Sequence, residues 1–165
     1  MSENILKFSM NRCTSVEPLD ENTLKSVCRL TDTFTSASVE ILVRLPDLEI
    51  VNVTGRFRHE WHQLHDPNEA LQKVLGIRIG SGMLKIIKGL MGEGENLEQL
   101  TYMVEECCHG IILSLTKDIL SRAPRDEAGK LEFFSKMVRK NNRLYNRCAA
   151  FAPGSRLVEG IEPPK

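Results

Sequence analysis

The sequence is poor in aromatic side chains, at 5%, and has no excess charge of either sign: 22 Lys plus Arg stand against 22 Asp plus Glu. A general nucleic-acid binder needs surplus cations to displace counterions and aromatic faces on which bases stack, so this balance speaks against that class. No apolar run approaches the ~18 residues that a membrane span needs. Internal repeats and low-complexity segments are missing, and so is the order of residues that marks a nucleophile elbow or a Ser/His/Asp triad. No charged and apolar leader precedes the first cysteine, because "MSENILKFSM" is too polar and too alternating for a secretory signal.

What is present suits a globular domain. Hydrophobic residues make up 41% and charged residues 27% of 165 residues, enough for one domain with a sound core. The expectation is a single domain over 1–165, with a frayed tail from about 158 to 165. The five cysteines, Cys13, Cys28, Cys107, Cys108 and Cys148, are odd in number and scattered. They are expected to be reduced thiols in a cytoplasmic setting rather than a disulfide framework.

The first third carries the period-two pattern of half-buried antiparallel strands. In "ILKFSM", Leu6, Phe8 and Met10 alternate with Lys7 and Ser9; in "TLKSVCRL", Leu24, Cys28 and Leu30 share one parity. Val39, Ile41, Val43 and Leu45 share a face, as do Val51, Val53 and Phe57, with Pro46-Asp47 as the turn between them. Helical signals follow. Asp66 is an N-cap, Pro67 suits the first helical position, Glu69 stands three residues after the cap, and Gly76 can end the helix. "SGMLKIIKGLMG" predicts a second helix with Met83, Ile87, Leu90 and Met91 on one side. Asn96 is the expected cap of a third, whose apolar stripe runs Leu97, Leu100, Val104, Cys107, Cys108, Ile111 and Leu115. A last helix is expected from about Glu127 to Arg147, burying Leu131, Phe134, Val138 and Tyr145. Strands first and helices second is the α+β pattern: an N-terminal antiparallel meander packed by about four C-terminal helices.

Three of the four histidines, His59, His62 and His65, fall in "RHEWHQLHD" with the only tryptophan, Trp61. The helix start at Asp66 puts them before the helix. On a continuing strand, alternate residues face opposite ways, so the three rings converge only if a loop or bulge begins near Glu60. "HEWH" is one residue short of the H-E-x-x-H zinc motif. The bland reading is a strand end with a core tryptophan; the functional reading is a ligand or metal site on a strand-to-helix loop.

"EECCHG" offers soft ligands for a transition metal. On a helix, however, Cys107 and Cys108 lie about 100° apart and His109 turns further away. Both cysteines also fall on the apolar stripe, where a thiol behaves as a small hydrophobe. Glu106 and His109 form one E-x-x-H pair, and a di-iron bundle needs two. The candidate metal set is His59, His62, Cys107 and His109. "GIRIGSG" from Gly76 to Gly82 is neither G-x-G-x-x-G nor a P-loop. It reads as a helix connection or as an anion perch of backbone N–H groups with Lys85 and Lys88 nearby; Arg78, Gly80 and Gly82 are its candidate ligand contacts. Glu93, Glu95, Glu98, Glu105 and Glu106 form an acidic stretch; Lys136, Arg139, Lys140, Arg143 and Arg147 form a basic helical stripe that suits a solvated face, an acidic partner or a phosphate-bearing ligand.

The turn Gly76-Ile77-Arg78-Ile79-Gly80-Ser81-Gly82, with Leu97, Leu100 and Asn146-Arg147-Cys148, resembles a bacterial domain-of-unknown-function family over nearly the whole chain. That family has a strand-rich front, a "G-(L/I)-R-I-G-x-G" turn, a "G-C-x-H-L-x-x-L" segment and a terminal "(N/D)-x-C". Here Gly94 and Asn96 replace its Cys and His. The order of strands and helices after "VEILVRLPDLEIVNVTGRFRHE" is also similar to NifU-like iron–sulfur scaffold proteins, with His59 and His62 where those carry cysteines. Neither resemblance implies a reaction.

Three function classes therefore stand. The first is a small-ligand-binding or accessory protein, with His59, Trp61, His62, His65, Arg78, Gly80 and Gly82 as candidate contacts. The second is a metal or iron–sulfur protein built on the metal set above. The third is an enzyme with a histidine general base, for which no nucleophile is visible. The partners expected are a small ligand, a partner protein or a second copy through an apolar helix face.

Overall fold

The computed structural model describes residues 7–59, 66–80, 82–146 and 148–163. Four strands, β1 (Met10–Asp20), β2 (Thr23–Asp32), β3 (Thr35–Arg44) and β4 (Glu49–His59), form an antiparallel meander in the order β1-β2-β3-β4. Helices α1 (Pro67–Leu71), α2 (Met83–Met91), α3 (Glu95–Arg122) and α4 (Glu127–Lys140) follow, so the expected α+β arrangement is present. The chain divides into two compact units, 1–115 and 116–165, with the boundary inside α3.

Short polar side chains make the hairpins. Asp20 Oδ1 accepts from the Asn22 amide at 2.7 Å, and Asp32 Oδ1 accepts from those of Phe34 and Thr35 at 2.7 Å each, the local bonding that favours Asp in turns. In the third turn Arg44 reaches Asp47 at 3.2 Å and Glu49 at 2.7 Å. Hydrogen bonding and attraction by Arg44 hold the Asp47 carboxyl below its usual range.

The first unit's core lies between the sheet and α1–α3. Leu24, Cys28 and Leu30 of β2 and Val39, Ile41 and Val43 of β3 are buried together, as their shared parity predicts. Met83, Ile87 and Met91 of α2 and Leu100, Met103, Val104, Cys107, Cys108 and Ile111 of α3 complete it. Each large side chain buried this way contributes roughly 1.5–3 kcal/mol.

Two glycines permit close approach. A Cβ at Gly55 would overlap Leu71 Cδ1, so β4 runs tight against α1 there, and the Gly55 amide donates to Asn68 Oδ1 at 2.9 Å. A Cβ at Gly110 would stand 3.1 Å from methyl groups of both Thr14 and Val16, so α3 lies close on β1.

Several sequence expectations are corrected. Of the strand expected over 5–10, residues 5 and 6 lie outside the described residues, 7–9 lie outside any strand, Phe8 and Met10 are exposed, and β1 runs from Met10. Its signal is weak because an edge strand covered on one face needs few apolar residues: Thr14 and Val16 lie against the helix, and most of β1 is exposed. Val51 does not share a face with Val53. The register shifts between Leu42 and Val43, where Val43 pairs with Ile50 and Leu42 with Asn52, so Ile50 is buried and Val51 exposed. Asn96 lies inside the first turn of α3 rather than capping it, and the Glu98 amide donates to the Gly94 carbonyl at 2.9 Å. Leu90 is exposed, and the last α-helix stops at Lys140, followed by a 3-10 turn over Asn142–Leu144.

In the second unit Val138 of α4 and Val158 are buried, with Leu131 and Phe134 half-buried. Asp126 caps α4 by accepting from the Gly129 amide at 2.7 Å. A 3-10 turn over Arg156–Val158 packs on α4, and its cap, Ser155 Oγ, accepts from the Leu157 amide at 3.2 Å.

Candidate functional site

His59 ends β4 opposite Thr35. Trp61, His62 and His65 lie outside the described residues. Cys107 and His109 sit on different sides of α3. Cys107 is fully buried, its Sγ donating to the Val39 carbonyl at 3.6 Å, while His109 is exposed. Val39 pairs with Gly55, four residues before His59, which sets His59 ~13 Å further along β4 at ~3.4 Å per residue. Among the described residues no group of His, Cys, Asp and Glu could hold a metal ion. Burial pushes the thiols of Cys107 and Cys108 up to about 12, and that of Cys28 upward, so all three keep the proton a metal would have to displace.

The glycine turn is tied to the sheet. The Gly76 amide donates to the Ile50 carbonyl at 2.9 Å, the Ile50 amide to that of Ile77 at 2.8 Å, and the Ile79 amide to that of Leu48 at 2.9 Å. Arg78 bridges Glu49 through the backbone, and its exposed guanidinium lies 3.9 Å from Asp47. The segment therefore extends the edge of β4. Its amides at Gly76 and Ile79 are committed to that role, Gly80 is exposed, and Gly82 leads into α2 with φ +83°.

A cleft of about 420 Å³ opens between α2 and the first turns of α3. Lys88 enters from α2, Gly92 and Glu93 close one end, and Glu98, Thr101, Tyr102 and Glu105 line it from α3. Residues 98, 101, 102 and 105 follow helical spacing, so one face of α3 presents them together. Glu105 is 12% exposed, and its Oε1 is buried without a hydrogen bond among the described residues. The nearest opposite charge is Lys88 Nζ, 3.9 Å away and 67% exposed. Arg12 of β1 stacks over the Tyr102 ring at 4.3 Å. Burial raises the Tyr102 phenol above its ordinary range, and the neighbouring Glu106 carboxylate adds to that. Thr101 Oγ1 is already used, donating to the Leu97 carbonyl at 2.6 Å.

Glu93, Glu98 and Glu105 are legible in the sequence as local acidity, but nothing along the chain joins them to Lys88 and Tyr102. The 98-101-102-105 spacing was the available signal. No family model, curated protein or solved structure matches this chain.

Proposed function

We propose that this chain is a small-ligand-binding protein whose α2–α3 cleft takes an organic cation bearing N–H donors. The observation that carries this reading is the buried Glu105 Oε1, an acceptor with no hydrogen bond among the described residues at the wall of a cleft. Buried polar atoms are normally satisfied, and an orphan on a cleft-lining residue marks where a ligand donor would be accepted. One cation, Lys88, faces three carboxylates, Glu93, Glu98 and Glu105, so the cleft favours positive charge. Its volume lies within the usual range for small-molecule sites. All five cysteines are free thiols, which supports a cytoplasmic setting.

The test is a titration of putrescine into isotope-labelled protein, followed by amide chemical shifts. Shifts confined to residues 88–105 and abolished in Glu105→Gln are expected. Tetramethylammonium, which carries charge but no N–H, should bind at least tenfold more weakly. Equal shifts from the two cations, or shifts that survive in Glu105→Gln, would sink the reading.

A further inference from the structure

The second unit holds a separate cleft of about 620 Å³ between α4 and the 3-10 turn over Arg156–Val158. Ser135, Lys136 and Arg139 line it from α4, and Arg156 lines it from a segment that the sequence places well beyond that helix. Glu132 and Glu159 stand in the same cleft. Among the described residues none of these five charges is ion-paired. The bland reading is dipole compensation at the C-terminus of α4, which Arg139 in the last turn satisfies. That reading does not reach Arg156, which is on another element, and does not explain why three cations line one concavity beside two carboxylates without pairing with them.

We propose that this cleft binds a phosphate ester that also carries hydroxyl or amino donors. Two guanidinium forks and an ammonium supply donors for a phosphoryl group, with Arg139 and Arg156 suited to bidentate contact and Lys136 acting as a point charge. The Ser135 hydroxyl can donate as well. Glu132 and Glu159 repel a bare anion but accept from donors on the rest of the ligand. The pairing selects an ester such as a phosphorylated polyol over inorganic phosphate.

The experiment is calorimetric titration of the full chain with glycerol 3-phosphate, with inorganic phosphate, and with vesicles containing phosphatidic acid. Glycerol 3-phosphate is expected to bind more tightly than inorganic phosphate. Arg139→Gln and Arg156→Gln should each weaken it at least tenfold, whereas Lys140→Gln, which removes the same charge outside the cleft, should change it less than twofold. The double variant Glu132→Gln/Glu159→Gln should reverse the preference towards inorganic phosphate. Binding of the soluble ester identifies a free ligand, and binding of the vesicles alone identifies a lipid headgroup as the source of the same chemistry. No binding of any probe, or equal losses in Lys140→Gln and Arg156→Gln, overturns the proposal.

Discussion

Ser26 donates its hydroxyl to the backbone carbonyl of Cys107 across 3.0 Å, joining the middle of β2 to the middle of α3. Both residues are fully buried. Ser26 shares its parity with Leu24, Cys28 and Leu30, yet it is polar, because α3 comes too close there for a larger side chain. The helix is close along this line: a Cβ on Gly110 would touch Ser26 Oγ at 3.4 Å and crowd the Thr14 and Val16 methyl groups at 3.1 Å. Small residues on both elements thus let the helix backbone approach the sheet, and the hydroxyl bonds to that backbone.

Ser26→Ala should therefore lower stability by about 1 kcal/mol, the net value of one buried hydrogen bond. Ser26→Leu should cost about 1–3 kcal/mol or more, since the added carbons force α3 off the sheet. Urea midpoints for the two variants check this; a leucine variant as stable as the parent would mean that the helix does not seat here.

The three buried thiols set a pH dependence. Cys107 and Cys108 are pushed from 9.0 to about 12 by burial. A thiol with a raised folded value holds its proton longer in the folded state than in the unfolded one. Stability is thus unaffected below pH 9 and falls as pH climbs from 9 towards 12, by about 1.4 kcal/mol per pH unit for each group. Denaturant midpoints at pH 8, 9, 10 and 11 should show that decline, and Cys108→Ala should reduce its slope by about a third to a half, since Cys28 is raised as well. With a disulfide-exchange reagent at pH 8, the exposed Cys13 and Cys148 should react at once, and Cys28, Cys107 and Cys108 only on unfolding. A third fast thiol would count against the packing of α3.

Gly55 is the point where β4 and α1 touch. Gly55→Ala should cost about 1–3 kcal/mol, because the new carbon meets the end of the Leu71 side chain, which is fully buried and must shift within the core. Combining it with Leu71→Ala should cost less than the two single changes added together, the signature of a shared contact. Strict additivity in thermal or urea unfolding would mean that the clash is relieved by movement elsewhere.

The legibility of the fold follows the strength of each local signal. β2 and β3 are read correctly because Leu24, Cys28 and Leu30 in one and Val39, Ile41 and Val43 in the other share a parity and are buried on one face, even with Ser26 between Leu24 and Cys28. Asp66-Pro67 marks α1 because a cap and a pre-set φ leave little choice of backbone. β1 escapes because an edge strand needs few apolar residues. β4 misleads at Val51 because one extra residue reverses the facing on either side of it. The α2–α3 cleft is less legible still. Lys88 and Glu105 stand on different helices, and only tertiary packing brings them within 3.9 Å. Arg156 escapes the basic stripe for the same reason: periodicity along one helix says nothing of a cation supplied by a distant turn.

Glu105 offers a final prediction that separates function from stability. A buried carboxylate oxygen without a hydrogen bond costs free energy that no partner recovers. If Glu105 is kept for a ligand, its replacement should not harm the fold. Glu105→Gln and Glu105→Leu should match the parent in urea midpoint or exceed it, while both lose the response to putrescine. Lys88→Gln should keep that response, since Lys88 is a largely exposed counter-charge at 3.9 Å rather than a hydrogen-bonded partner. A fall of more than about 1 kcal/mol in either Glu105 variant would place this residue among the structural contacts of α3, and the cleft would lose the one group that marks it as a site.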